Sequence, residues 1–241
     1  MKKVISFLAL LFLLIGASCT QATNAPASTD PAAVAEAFLN ASTSDDLETG
    51  LSLLSEDIIF RQEPGGIEVK GKDGLEQSFK ENSAFNHEHQ LTSPWEVSGD
   101  KATCTAKVSG DDFRIMDIDY MHATYEFLVK DGKIYSILVT TDEEDWAKVI
   151  EYSSGGIGVK ISFIEEGVRI EEFAEQSPAK DAGLQVGDII IAIDGIRCSG
   201  MMDSERVFRI MGPVGSMVSL GVSRPGLDKP LNIEVKRIKI R

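Results

Sequence analysis

Ser177-Pro178-Ala179-Lys180-Asp181-Ala182-Gly183-Leu184-Gln185-Val186-Gly187-Asp188-Ile189-Ile190-Ile191-Ala192-Ile193-Asp194-Gly195 is the stretch that decides the fold. Serine before proline opens a helix of one or two turns, since the hydroxyl accepts a free amide and proline suits the first helical position. Gly183 ends that helix as a left-handed cap and folds Leu184 back onto the core. Gly187-Asp188 turns the chain into an almost continuous isoleucine run, apolar on both faces and therefore a central, buried strand. Asp194-Gly195 turns it out again.

The flanks extend the pattern. Gly155-Gly156-Ile157-Gly158 leads into an apolar strand over Val159 to Phe163. A helix is expected from Asp203 to Met211, with Val207, Ile210 and Met211 toward the domain. Val218, Leu220 and Val222 alternate, and Leu231, Ile233 and Val235 close a small barrel-like sheet. Together these motifs make residues 151–241 resemble a PDZ domain, in the arrangement found beside HtrA-type and carboxyl-terminal processing proteases of bacteria. The resemblance implies that protein or peptide C-termini are the partners. A peptide end would lie as an added strand along Val159, Lys160 and Ile161. The loop Gly155, Gly156, Ile157 and Gly158 would grip its carboxylate through backbone amides, and Val207, Ile210 and Met211 would form the opposite wall. That wall implies an aliphatic or aromatic last residue. Arg206 is expected either to attract the peptide by charge or to face solvent. No G-x-S-x-G or triad pattern is present, and the chain reaches Arg241 directly after the last expected strand, so proteolysis by this chain alone is not expected.

Residues 30–150 read as α+β. Asp30-Pro31 starts a helix with Val34, Ala35, Phe38 and Leu39 on its apolar face. Further helices are expected over Asp45 to Leu54 and Lys72 to Ser83, with a turn at Gly65-Gly66. Strands fit Ala102 to Val108, Met121 to Val129 and Ile134 to Thr140, the last two joined by an Asp131-Gly132 hairpin. With "GKDGLEQSF" and "VKDGKIYSI" this order resembles the NTF2-like (SnoaL-like) superfamily, in which a bent sheet wraps a helix into a cone with a pocket. The resemblance also allows a homodimer through the outer sheet face. An isomerase-like site in such a cone needs a base and an oxyanion donor at an apolar pocket. Candidate catalytic residues are His122 with Tyr120 or Tyr125, Asp119 and Asp117 beside that strand, and His87 with His89. The segment His87-Glu88-His89 reads as a solvated strand edge, and two histidines without a third ligand do not define a metal site. Neither a cofactor nor a metal motif is recognised.

Charge is uneven. Residues 22–150 hold 25 acidic against 10 basic side chains, whereas residues 151–241 hold 13 against 12. The acidic half argues against nucleic acid as a partner. Three scattered cysteines, Cys19, Cys104 and Cys198, form no disulfide framework. Lys2-Lys3, the apolar run Val4 to Ile15 and the small residues Gly16-Ala17-Ser18 read as a signal segment over residues 1–18. Leu14-Ile15-Gly16-Ala17-Ser18-Cys19 resembles a bacterial lipobox, with Gly16 where a bulky aliphatic is usual. It implies a lipid on Cys19 that anchors the chain to a membrane of the bacterial cell envelope, the outer membrane being preferred. Residues 19–29 read as a flexible tether, reaching roughly 35 Å at most. The expected whole is a non-catalytic envelope lipoprotein; the alternatives are a cone enzyme acting on a small apolar substrate, and a purely structural assembly protein. Cys19→Ala is expected to move the protein from the membrane to the soluble fraction on cell fractionation, and retention in the membrane would refute the anchor.

Overall fold

The computed structural model describes residues 28–44 and 46–240; Cys19, the signal segment and most of the tether lie outside them. Among the described residues no helix is long and apolar enough to cross a membrane.

The Asp30 carboxylate accepts the Ala32 amide at 3.3 Å and Pro31 opens α1 (Pro31–Thr43). Asp46 accepts the Thr49 amide at 3.1 Å and caps α2 (Leu47–Leu53), which is shorter than expected because Leu54 already begins β1 (Leu54–Glu63). The chain turns at Gly65 and Gly66 into β2 (Ile67–Lys70), then forms α3 (Lys72–Ala84), β3 (Glu88–Leu91), β4 (Glu96–Ser98) and β5 (Lys101–Ser109). The short helix α4 (Asp111–Ile115) separates β5 from the hairpin β6 (Met121–Lys130) and β7 (Lys133–Thr141). Asp131 and Gly132 turn that hairpin at φ 50° and 73°, the left-handed pair a tight hairpin requires.

The sheet runs β2-β1-β7-β6-β5-β3, with β4 also on β5. It is antiparallel except where β1 lies parallel to β7, and register shifts within β1 and β6 mark irregularities in the ladder. Helices α1 and α3 pack on its inner face, where Phe38 meets Phe79 and Phe127 edge-on at 5.2 and 5.9 Å. This is the expected α+β cone of helices on an antiparallel sheet.

Helix α5 (Glu143–Ser153) was not among the expected elements, and the domain boundary expected at 150/151 falls inside it. Its signals are present in the sequence. Glu143, Glu144 and Asp145 suit the positive end of a helix dipole, and Trp146, Val149 and Tyr152 recur at helical spacing. That stripe packs against Met116, Ile118 and Met121 of the cone and against Phe208 of the second domain.

The second domain comprises β8 (Gly155–Gly156), β9 (Val159–Ile164), β10 (Gly167–Phe173), α6 (Pro178–Asp181), β11 (Ile189–Ile193) and β12 (Ile196–Arg197). They are followed by α7 (Asp203–Ile210), β13 (Met217–Ser223), β14 (Leu231–Lys236) and β15 (Ile238–Lys239). Its main sheet runs β14-β13-β11-β10-β9, so the isoleucine run is central, and Ile190 and Ile193 are fully buried. Asp188 does more than turn the chain. Its carboxylate is buried and accepts the Gln185 amide at 2.8 Å and the Arg224 guanidinium at 2.7 and 2.8 Å.

Arg206 neither faces solvent nor lies in the groove. It is 5% exposed. Its guanidinium donates to the carbonyls of Cys198, Ile164, Gly167 and Glu165 at 2.8 to 3.3 Å, and to Asp203 at 3.3 Å. These bonds tie α7 to the β9–β10 turn. Arg206→Met is expected to orphan those carbonyls and to lower stability by at least about 2 kcal/mol, read by urea denaturation. An unchanged midpoint would show that the carbonyls find water instead.

Candidate functional site

β9 is the edge strand of its sheet, paired with β10 on one side only. Helix α7 stands across from its free edge, and a cleft of about 500 Å³ lies between them. Gly156, Ile157, Gly158, Val159, Lys160 and Ile161 form one wall, and Val207, Ile210 and Met211 the other. Phe173, Ala174, Glu175 and Ile240 also contribute, none of which was expected from sequence. At the head of β9 the amides of Ile157 and Gly158 meet no acceptor among the described residues. Gly158 sits at φ 71°, and a Cβ there would come within 2.5 Å of the Gln176 carbonyl oxygen, so the loop shape requires glycine.

Gly155 departs from the expected carboxylate loop. It does not line the cleft. It bridges to Gly212, whose carbonyl oxygen would lie 2.2 Å from a Cβ at 155, so its role is close backbone packing under the end of α7.

A second cavity, of about 450 Å³, lies inside the cone. Its wall is mostly apolar, from Phe38, Leu75, Phe79, Val108, Ile137 and Trp146 among others, and includes Phe208 of α7. Polar residues interrupt it, Gln62, Glu81, Asn82 and Thr141 among them, and four others form two close pairs. His87 Nε2 is 2.8 Å from Asp112 Oδ1, which also accepts the Phe113 amide at 2.9 Å. His89 Nδ1 is hydrogen-bonded to the Tyr125 hydroxyl at 2.8 Å, while its Nε2 is buried without a partner among the described residues. Burial, with His87 nearby, pushes the His89 imidazole down to about 4, and burial, with Cys104 nearby, pushes the Tyr125 phenol up. The solvated edge expected for His87-Glu88-His89 therefore holds only for Glu88. Helix α4 brings Asp112 onto His87, and the ring of Phe113 stacks on it at 5.2 Å.

Of the expected catalytic candidates, His87, His89 and Tyr125 line this cavity, whereas His122 and Asp119 lie outside it. Strand alternation turns Met121, Ala123 and Tyr125 inward and His122 outward, and Asp119 is exposed in the loop before β6. His122 Nδ1 instead meets Asp145 at 3.0 Å and Asp142 at 3.9 Å. One ligand atom from each of these three residues lies within 4.8 Å of the others, a spacing compatible with a cation. The Asp145 carboxylate, however, already accepts Lys148 at 2.7 Å and the His122 amide at 2.9 Å. Burial tends to raise its pKa, but these hydrogen bonds prevail and hold it below the usual carboxylate range. The cluster reads as an ion network that pins α5 to β6.

Comparison with known proteins agrees with this geometry for the second domain. Residues 155–236 match the family model described as a PDZ domain, and this part of the chain is a PDZ domain. The carboxy-terminal-processing protease of Bartonella bacilliformis is 35% identical over 89 residues, covering 36% of this chain and 20% of that protein. The carboxy-terminal processing protease CtpB of Bacillus subtilis is 27% identical over 139 residues, covering 53% of this chain and 29% of that one. The chain thus spans about a fifth to three tenths of the curated relatives it matches. Among solved structures, an epoxide hydrolase from M. tuberculosis aligns at TM-score 0.41 and 18% identity, over 52% of this chain and 92% of that one. An NTF2-like protein from Cytophaga hutchinsonii aligns at 0.40 and 12%, over 50% and 96%. The cone itself is read from its own strand order and packing.

The depressed His89 has a consequence for pH. Unfolded, its imidazole titrates near 6.5; folded, near 4. The unfolded state therefore binds the proton first, and stability present above about pH 6.5 is lost as pH falls toward 4, by about 3 kcal/mol from this group. His89→Gln is expected to flatten that part of the stability profile, measured by urea denaturation at stepped pH. Parallel profiles for the two proteins would refute the assignment.

Proposed function

We propose that the chain binds protein C-termini or extended peptide segments in the β9–α7 cleft, as an adaptor or regulator held at the bacterial envelope through Cys19. The observation that carries this reading is an open strand edge facing an apolar helix, with the free amides of Ile157 and Gly158 at its head. A peptide laid along β9 satisfies the unpaired edge. Its last side chain fills the space between Ile157, Val207 and Ile210, and its carboxylate takes the loop amides. The matches to carboxy-terminal-processing proteases support a peptide as ligand.

A second reading makes the cone an enzyme. What favours it is the His87–Asp112 pair inside an apolar cavity, a better-placed acid–base pair than the exposed His122.

The first reading is tested by fluorescence anisotropy of the full chain with short peptides ending in Val, Leu or Phe, each with a free or amidated C-terminus. Free-acid peptides are expected to bind, amidated ones to bind at least tenfold more weakly, and Val207→Asp to lose at least tenfold in affinity. No binding at millimolar peptide would overturn the reading.

A further inference from the structure

One wall of the cleft comes from outside the PDZ match. That match covers residues 155–236, and Ile240 lies beyond it yet lines the cleft. The chain returns there through β15, which pairs antiparallel with β8, Ile238 opposite Gly156 and Lys239 opposite Gly155. The Ile240 amide then donates to the Ser154 carbonyl at 2.9 Å, which fixes the backbone just past the strand. Its side chain lies against Gly156. A Cβ at 156 would come within 2.6 Å of Ile240 Cδ1 and 3.4 Å of its Cγ1 and Cγ2. Gly156, unlike Gly158, does not adopt a positive φ. What excludes a side chain at 156 is therefore the isoleucine that fills its place, and not the backbone.

This wall stands at the carboxylate end of the cleft. Gly156 directly precedes the free amides of Ile157 and Gly158. The carbonyls of those two residues are already engaged, by the Ala179 amide at 3.2 Å and the Ala174 amide at 2.9 Å. The free groups of the loop are thus donors, which suits a carboxylate. Ile240 keeps 42% of its surface exposed, so a ligand in the cleft has apolar area there to bury. Isoleucine is branched at Cβ and stiff about its first torsion, so it yields less to a bulky neighbour than Met211 on the helix wall.

We infer that Ile240 is a specificity-determining residue of the cleft: it closes the loop end and restricts the last side chain of a bound peptide to Val, Ile or Leu, against Phe and Trp. The inference rests on the peptide reading above and narrows it, from any apolar terminus to a branched aliphatic one. It also gives Gly156 a role apart from the carboxylate, which is to leave room for that wall.

The test is fluorescence anisotropy of the full chain with labelled free-acid peptides that differ only in the last residue, Val, Leu, Phe or Trp. The unsubstituted protein is expected to bind the Val and Leu peptides at least about fivefold more tightly than the Phe and Trp peptides, the cost of overpacking a fixed wall. Ile240→Ala keeps the backbone bond to Ser154 and removes the wall, and is expected to bring that ratio to one or below by tightening the aromatic peptides. Gly156→Ala displaces the Ile240 side chain into the cleft. It is expected to weaken the Val and Leu peptides in the unsubstituted background and to have less effect when combined with Ile240→Ala. No preference in the unsubstituted protein, or the same preference in Ile240→Ala, overturns the role of Ile240 and leaves the peptide reading standing. An equal loss from Gly156→Ala in both backgrounds shows that 156 is glycine for the sake of the bound chain, and overturns the role given to it here. If none of the four peptides binds at millimolar concentration, the peptide reading fails and this inference with it.

Discussion

Two guanidinium groups buried against backbone carbonyls hold helix α7 in place, and both cavities depend on where that helix stands. Arg206 fastens it to the β9–β10 turn. Arg237, 6% exposed, fastens its last carbonyls, accepting groups at Arg209 and Ile210, to the strand region around Ser216 and Met217. Taking a guanidinium out of water is costly unless its donors are met, and its planar fork suits several carbonyls at once. Apart from the Asp203 carboxylate and the Ser216 hydroxyl, these acceptors are amide oxygens, which do not titrate. The width of the cleft is therefore set by geometry that ordinary changes of pH leave alone.

The same helix makes the boundary between the domains a packed one. A flexible linker would let a PDZ domain tumble beside its neighbour. Here α5 runs across the expected boundary, a Cβ at Gly155 would meet the Gly212 carbonyl oxygen, and a Cβ at Gly212 would meet the Arg237 side chain. Met116, Met121, Trp146 and Tyr152 then close over Phe208. The fold thus places a peptide wall and a cavity wall on successive residues of one short element.

What the sequence revealed, and what it hid, follows from the range of the forces involved. Gly183, Gly187 and the isoleucine run report local backbone geometry and a local burial pattern, so the PDZ architecture was legible, as were the strand and helix walls of the cleft, though not Phe173, Ala174, Glu175 or Ile240. Gly155 was misassigned because its constraint is a contact with Gly212, distant in sequence. The His87–Asp112 pair was hidden for the same reason. Asp112 reaches the histidine only once α4 has folded beneath β3, and a stretch reading Asn-His-Glu-His-Gln looks solvated by composition. His122 shows the converse: its neighbours Tyr125 and Phe127 suggested a core strand, yet period-two alternation sends it outward. Arg206 could not be placed from sequence because its partners are carbonyls, which every residue carries.

The parallel pairing of β1 with β7 bears on the order in which the chain can acquire its shape. The two strands that pair in parallel within the cone sheet are the first and the last of the domain, with Phe60 opposite Ile137. During synthesis β1 has only β2 to pair with until the hairpin of β6 and β7 has been made, and its other edge stays open meanwhile. Such distant closures are slow, and an open apolar edge invites pairing with another chain. A nascent chain cut short before Lys133 would carry that edge uncovered. The sheet of the cone thus closes only after the last of its strands has been made.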